Sequence, residues 1–201
     1  MIVSKGLKRA LAAAALIVAV PVAAQSFSDS YSFLKAVKER DGSKVSELVS
    51  QPGTVVINTR DRSSGDGALH IVTRERDLSW LTFLMGKGAR LDVQNNQGIT
   101  PLSLAAQLGW LEGAELLLKY GASVDLPSSR GETPLIFAVQ QRSLPVVRVL
   151  LARGANPKRT DSAAGLSAID YATRDGARSA VILKLLETPQ APAKKAAGPK
   201  L

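Results

Sequence analysis

His70 is the only histidine in the sequence, so any chemistry that needs an imidazole depends on this one residue. A metal site built on a pair of histidines is excluded, and so is proton transfer between two histidines. The chain contains no cysteine, which excludes thiol nucleophiles, cysteine-bound metals and disulfides. We therefore expect no metal ion and no cofactor, and a fold that depends on packing alone.

Carboxylate pairs are the second candidate for chemistry, because two neighbouring carboxyl groups with different pKa values can serve as acid and base. Asp61 with Asp66, and Glu112 with Glu115, are spaced closely enough. Both pairs fall on predicted turns or exposed helix faces, without the apolar surroundings that raise a pKa. The sequence also contains no phosphate-binding glycine loop and no nucleophile elbow. It therefore predicts solvated carboxylates, no catalytic residue and no enzyme.

Three Gly-Ala pairs recur at a constant interval of 33 residues, beginning at Gly88, Gly121 and Gly154. A second landmark, Gly-x-Thr-Pro-Leu, repeats with the same interval from Gly98 to Gly131. Two independent landmarks in one register indicate a tandem repeat. One short helix pair cannot bury its apolar face alone, so the units must stack into a continuous core. We expect Leu84, Leu117 and Leu150 to be equivalent residues of that core.

Helix start and stop signals recur with the repeat. A hydroxyl residue precedes each first helix and can accept a hydrogen bond from its free N–H groups. Proline tolerates the first turn of a helix, where its missing N–H has no helical partner. Glycine ends a helix in the left-handed conformation. The caps are Thr100, Thr133 and Ser167, the prolines are Pro101, Pro134 and Pro145, and the terminating glycines are Gly88, Gly121 and Gly154.

These landmarks resemble the ankyrin-repeat family, whose unit reads G-x-T-P-L-H-x-A-A, then a short turn and an apolar helix ending in L-L-x-x-G-A. Four units match, and we number them 1 to 4 from Gly65, Gly98, Gly131 and Gly165. Unit 2 is the best copy. Unit 4 starts 34 residues after unit 3, so its turn holds one extra residue, and it lacks the closing Gly-Ala.

A degenerate unit at residues 31–58, here the N-terminal unit, precedes these four. We expect a helix from Tyr31 to Arg40, a turn at residues 41–43 and a second helix from Val45 to Val49. The predicted fold is an all-α repeat solenoid, an ankyrin-type stack of helix-turn-helix units with β-turn fingers. It has four clear repeats plus this degenerate N-terminal cap.

The resemblance places His70 at the family's T-P-L-H histidine, which bridges the backbones of neighbouring repeats, so we expect a structural role. The equivalent residues Ser103, Ile136 and Asp170 cannot reproduce that bridge. The column of Ile71, Leu104, Phe137 and Tyr171 is expected to be half-buried packing. We expect Trp80 in the core and Trp110 partly exposed in a turn, and we assign neither to a binding site.

The resemblance also implies a protein-binding surface, since family members hold partners in a concave groove formed by first helices and turn tips. Carrying the variable positions over residue by residue gives a mostly polar set of candidates. On the first helices they are Arg74, Glu75, Gln107, Leu108, Gln140, Gln141, Arg174 and Asp175. On the turn tips they are Asn96, Gln97, Ile99, Ser129, Arg130 and Glu132.

The two ends differ from the repeats. Residues 1–24 contain three basic residues, an apolar run from Ala10 to Val20 and small residues before Gln25, the layout of a secretory signal peptide cleaved after Ala24. An uncleaved membrane anchor is the alternative, although the run has about half the roughly 20 residues that a span needs. Residues 188–201 are rich in Pro, Ala and Lys and should form a flexible basic tail. The repeat domain is then residues 25–187.

The net charge of +9 is concentrated at the ends, with three charges in the signal segment and three in the tail. Charges between them alternate in sign, as on an ordinary solvated surface, and aromatic residues are few. We therefore expect no nucleic-acid partner, and no membrane span after signal cleavage.

The sequence predicts a monomeric, exported scaffold of a bacterial envelope, periplasmic or secreted, which binds an unidentified protein partner without chemistry of its own. One alternative is an accessory or inhibitory subunit that controls an enzyme or toxin by covering its surface. An enzyme whose site leaves no recognisable motif is a third.

Overall fold

The computed structural model describes residues 22–52 and 54–188, and of residues 22–28 it describes the backbone alone. Most of the predicted signal peptide and tail, residues 1–21 and 189–201, therefore lie outside the described residues. The α-helices of the described part are α1 (Val22–Glu39), α2 (Gly42–Val49), α3 (Ala68–Arg74), α4 (Leu78–Gly86), α5 (Pro101–Gln107), α6 (Leu111–Lys119), α7 (Pro134–Gln140), α8 (Leu144–Ala152), α9 (Ala168–Asp175) and α10 (Ala180–Glu187).

The helices form pairs that stack in chain order. First helices α1, α3, α5, α7 and α9 contact one another in succession, and second helices α4, α6, α8 and α10 form a parallel row. Short 3-10 turns occupy Val56–Asn58 and Gly176–Ser179, the latter joining the last two helices. The predicted repeat solenoid is confirmed. Each first helix contacts its own second helix and the first helix of each adjacent unit.

The predicted helix caps are present. The hydroxyl of Thr100 accepts a hydrogen bond from the N–H of Ser103 at 3.0 Å, and Thr133 and Ser167 cap α7 and α9 in the same way. Gly88, Gly121 and Gly154 have φ of 87°, 99° and 85°, the left-handed conformation that ends a helix. These local signals set the helix boundaries that the sequence predicted.

The core runs along the whole stack. Leu84, Leu117 and Leu150 are each fully buried at equivalent places in α4, α6 and α8, as predicted. Burial of such a side chain contributes about 1.5–3 kcal/mol. The predicted column of packing residues is also present, but Ile71, Leu104 and Phe137 are buried rather than half-buried, and Tyr171 alone is half-buried.

A loop that we call a finger precedes each first helix of units 1 to 4, at residues 59–67, 93–100, 126–133 and 159–167. Successive fingers are joined by main-chain hydrogen bonds. The N–H of Asn96 donates to the carbonyl of Ser64 at 3.0 Å, and the N–H of Ser129 donates to that of Gln97 at 2.9 Å. The third junction, from Ser162 to Arg130, measures 2.8 Å.

Glycine is required where fingers meet. A Cβ at Gly98 would lie 2.3 Å from the backbone nitrogen of Ser129, and Gly65 and Gly131 are approached as closely by the next finger. At Gly165 the same Cβ would meet nothing within 4 Å, because unit 4 ends the row in the described part. The extra residue predicted in finger 4 is present: Asp161 and Leu166 close it, whereas Ser128 and Glu132 close finger 3.

The expectations for the two tryptophans and for α2 need correction. Trp110 is only 6% exposed rather than partly exposed, because Gly113 leaves room for its ring: a Cβ there would lie 2.1 Å from the indole. Trp80 is half-buried at the edge of the core, 5.1 Å from the ring of Phe83. In the N-terminal unit α2 begins at Gly42, with Asp41 as its cap, so the turn is shorter than predicted.

The N-terminal helix begins at Val22 rather than at Tyr31 as expected, and it is much longer than its equivalents. It spans 18 residues, against 7 in α3, α5 and α7. The predicted cleavage point after Ala24 falls in its first turn, and cleavage there stays a prediction. Among the described residues, no helix has both the length and the apolarity needed to cross a bilayer.

Candidate binding groove

The first helices and the fingers face one another along one side of the stack. In unit 1 the guanidinium of Arg74 donates to Asp66 of its own finger at 2.8 Å. In unit 4 the hydroxyl of Tyr171 donates to Asp161 at 2.7 Å. Gln140 of unit 3 lies 3.5 Å from Glu132, again between a first helix and its own finger. This side of the stack is the groove, and its walls are the predicted helix and finger positions.

A left-handed residue follows each first helix and aligns the units. It is an arginine or a glycine, with φ between 54° and 64°, at Arg40, Arg76, Gly109, Arg142 and Gly176. The two residues before it are the groove positions of each helix. In the N-terminal unit they are Lys38 and Glu39, which the sequence analysis missed because that unit lacks the family's landmarks. The signal that would have found them is the Arg-Asp pair at the end of the helix, shared by Arg40 and Arg76.

Most of the predicted helix positions are exposed: Arg74, Glu75, Gln107, Gln140, Gln141 and Arg174. Leu108 is a correction, because it is half-buried against the core and its carbonyl accepts a hydrogen bond from the guanidinium of Arg76 at 2.6 Å. Asp175 is also half-buried. Hydrogen bonds from Arg142 and from the hydroxyl of Ser179 lower the pKa of its carboxyl to about 2.

Two predicted positions contribute to joints between units. Arg142 holds Asp175 through Nε and Nη2, at 2.8 and 2.5 Å, and so ties unit 3 to unit 4. Glu75 accepts from the guanidinium of Arg40, which also donates to Asp77 at 2.8 Å. Because these two carboxylates already accept hydrogen bonds from arginines of the neighbouring unit, they are poorer candidates for partner contact than the glutamines of the middle units.

On the finger tips, Asn96, Gln97, Ser129 and Arg130 are exposed as predicted. Ile99 is a correction, because it is only 7% exposed and its side chain belongs to the core. Glu132 is half-buried, and its backbone N–H donates to the hydroxyl of Ser128 at 3.2 Å. Fewer finger residues are therefore exposed to a partner than the sequence predicted.

His70 has the structural role that the sequence analysis expected. The N–H of Gly67 donates to its Nδ1 at 3.2 Å, so Nε2 carries the proton and donates to the carbonyl of Ile99 in the next finger at 2.8 Å. The side chain is fully buried, and this burial lowers its pKa. A buried imidazole whose two nitrogens are both bonded to backbone has no nitrogen left for a substrate.

The other units lack that bridge, also as expected. Ser103 bonds the hydroxyl of Thr100 within its own unit at 3.1 Å, Ile136 is fully buried, and Asp170 caps the helix that contains it. Gln94 supplies a different link between fingers, because its amide donates to the carbonyls of Gly98 at 3.0 Å and Pro127 at 2.9 Å.

The carboxylates do not form an acid–base pair. Glu112 and Glu115 are exposed, as predicted. Asp66 is a correction, since it is only 5% exposed: burial raises its pKa, but hydrogen bonds from Asn95 and Arg74 outweigh this and keep it below its usual value. Hydrogen bonds from Ser63 and Ser64 lower the pKa of Asp61 to about 2. Within residues 22–52 and 54–188, no cluster of three acidic or histidine side chains could hold a metal ion.

A cavity lies at the N-terminal end of the groove. This N-terminal cleft has a volume of about 590 Å³ between α1 and the first finger. Its lining residues are Ser30, Tyr31, Leu34, Lys35, Lys38, Thr59, Arg60, Asp61 and Arg62. None of these was among the predicted binding residues.

Comparison with protein families identifies the repeat. A family model described as ankyrin repeats in three copies matches residues 33–127 and again residues 69–161. Together the two matches span residues 33–161, more than half of the 201-residue chain. The first match begins inside α1 and so includes the degenerate N-terminal unit.

Proposed function

The chain belongs to the ankyrin-repeat family, whose repeats are generally protein-binding scaffolds, and from that premise we propose a specific role. The protein is a non-enzymatic scaffold of the bacterial envelope that holds a protein partner in the groove between its first helices and fingers. The partner is held by non-covalent contacts alone, and the protein makes or breaks no covalent bond in it.

The observation that carries this proposal is the state of the groove in the middle units. Gln107 and Gln141 extend from the ends of α5 and α7, and their side chains form no hydrogen bond among the described residues. Nearby carboxylates and arginines are instead bound within the fold. A long amide side chain without an internal partner is hydrogen-bonded to water in the free protein. It can replace those hydrogen bonds with ones to a partner at little cost in free energy, because each amide both donates and accepts.

The envelope location rests on the sequence of residues 1–24, where three basic residues precede an apolar run and small residues precede Gln25. Without cysteine the segment has no site for lipid attachment, which favours a released periplasmic or secreted protein. Amino-terminal sequencing of the exported protein should give Gln25 as the first residue. A protein that retains residues 1–24 in a membrane fraction would contradict the proposed release.

Site-specific photo-crosslinking tests the groove. We would place p-benzoylphenylalanine at Gln107 in one variant and at Glu115, an exposed residue of a second helix, in another. Both sites lie in unit 2, so expression and folding are matched. After irradiation in the cells that produce the protein, the proposal predicts a discrete protein adduct from Gln107 and none from Glu115.

Mass spectrometry of that adduct identifies the partner. A scaffold role predicts a structural or assembly protein, whereas an enzyme or toxin would favour the alternative of an inhibitory subunit. Adducts of equal yield from both sites, or from Glu115 alone, would show that the groove is not the binding surface.

A further inference from the structure

The N-terminal cleft has a cation, Lys35, at a position where the other units have an apolar or aromatic residue. Counting back from the left-handed residue of each unit, Lys35 aligns with Ile71, Leu104 and Phe137, which are buried apolar residues. Lys38 aligns with the groove column, in which units 1 and 4 also have a cation, Arg74 and Arg174. The N-terminal unit thus carries two exposed lysines along this face, and Lys35 occupies a position that its equivalents use for packing.

The length of α1 explains why the cleft exists. Tyr31 aligns with Gly67, where α3 begins, so α1 continues for several residues past the point at which the other first helices start. In units 1 to 4 a finger ends at that point and leads into the first helix, but in the described part no finger precedes α1. The helix extension and the first finger therefore form two separate walls, and Tyr31 is left 72% exposed between them.

The described residues that line the cleft include more cations than carboxylates. Lys35 and Lys38 on α1 and Arg60 and Arg62 on the finger line it together, and Lys35 also lies 3.9 Å from Glu39 of its own helix. The guanidinium of Arg60 is positioned by a hydrogen bond to the carbonyl of Gln94 at 2.6 Å. Among the described residues Asp61 is the one carboxylate that lines the cleft, and it accepts hydrogen bonds from Ser63 and Ser64 of its own finger.

We propose that this cleft binds an extended acidic segment of the partner protein, with an apolar side chain of that segment against Tyr31. The inference deepens the proposed function, on which it rests, by naming the chemistry of the partner. Four cations around one internally satisfied carboxylate attract carboxylates, and the charges fix the register of a strand-like segment. An exposed tyrosine beside them adds apolar contact area at little entropic cost.

Other occupants fit the charge less well. The chain's own ends each carry three positive charges, in residues 1–24 and 188–201, so the cleft would repel them. A second copy of the chain brings a net charge of +9 to a basic site. A polyanion such as DNA matches the charge, but it has no apolar side chain to place against Tyr31.

The test is binding of a labelled peptide of about ten residues, rich in Glu with one central Phe, to the full-length protein by fluorescence anisotropy. Replacing both Lys38 and Arg62 by Gln should weaken binding at least about tenfold, because two of the four cleft cations are lost. The matched control, Lys119→Gln with Arg148→Gln on the second helices, removes the same charge and should change affinity less than about twofold.

Tyr31→Ser tests the apolar contact. It should weaken the Phe-containing peptide but leave a peptide with Ser in place of Phe unaffected, which separates packing from charge. Circular dichroism of each variant verifies that the stack is intact. No binding of the acidic peptide, or equal losses in the cleft pair and the control pair, would overturn the inference.

A duplex DNA of equal charge is the final comparison. If it binds as tightly as the peptide, loses affinity in the same cleft variants and ignores Tyr31→Ser, the cleft is a general polyanion site and the peptide inference is wrong. None of these results bears on crosslinking from Gln107, so failure of this inference and failure of the proposed function are distinguishable.

Discussion

In the middle of the stack each unit has a neighbour on both sides, whereas among the described residues each end unit has a neighbour on one side only. The finger of unit 2 donates to the finger before it and accepts from the finger after it, and a Cβ on its glycine would strike the next backbone. At the N-terminal end α1 outgrows the repeat and leaves a cleft, and at the C-terminal end Gly165 faces open space. Contacts with a neighbouring unit require particular residues, such as the finger glycines, only where that neighbour is present. This chain therefore departs from the repeat pattern at its end units.

The largest expected effect comes from emptying the core in the middle. Leu117→Ala should lower the free energy of unfolding by about 2–5 kcal/mol, because the residue is fully buried between stacked helices that cannot collapse around the cavity. Leu48→Ala, in α2 of the N-terminal unit, should cost less than half as much, since in the described part that unit has one neighbouring unit and can relax. Chemical denaturation of both variants gives the comparison, and equal losses would mean that the N-terminal unit is as constrained as the middle.

A glycine comparison isolates the finger contacts. Gly98 and Gly165 have φ of 72° and 67°, so alanine at either position costs about 1–2 kcal/mol in backbone strain. Only at Gly98 would the new Cβ strike the next finger, 2.3 Å from its backbone nitrogen, which should add about 1–3 kcal/mol. Denaturation midpoints of Gly98→Ala and Gly165→Ala should therefore differ clearly. Indistinguishable midpoints would show that the fingers separate without cost.

The smallest expected effect concerns pH and the junction of units 1 and 2. Burial lowers the pKa of His70 in the folded protein, so the unfolded chain takes up the proton first as pH falls. The stabilising contribution is thus complete above the unfolded pKa of about 6.5 and is lost as pH falls towards the folded value. Because His70 is the only histidine, His70→Gln should remove this component, measured as the change in melting temperature from pH 7.5 to pH 5. Equal changes in both proteins would contradict a neutral, buried imidazole.

Much of the fold follows from the sequence because its determinants are local and repeated. Caps such as Thr100, terminating glycines such as Gly121 and core leucines such as Leu117 act within one helix pair, and their period places every unit. The bridge from His70 was predictable from the resemblance to the family, because a histidine at this position bonds the backbones of two neighbouring fingers.

The remaining features depend on contacts between particular side chains, which the 33-residue repeat pattern does not determine. Trp110 is buried only because Gly113 makes room for it, and Ile99 is buried because its finger folds back on the core. Leu108 occupies a variable column yet packs inward. The N-terminal cleft was missed because it arises where α1 departs from the repeat, so no landmark marks Lys35 or Lys38.

The central claim is that the groove of the middle units binds a protein, and it is tested most directly by affinity for the partner identified by crosslinking. The groove variant is Gln107→Ala with Gln141→Ala, which leaves the half-buried Leu108 in place. The matched control is Glu115→Ala with Arg148→Ala, two exposed residues of second helices. Surface changes of this kind move stability by less than about 0.5 kcal/mol, so all three proteins should melt together.

Isothermal titration calorimetry of the three proteins with the partner gives the result. The account predicts that the groove variant binds at least about tenfold more weakly than the unmodified protein, as expected when contacts at the centre of an interface are lost, while the control binds normally. Unchanged affinity in the groove variant together with weaker binding in the control would place the binding surface on the second helices and contradict the account.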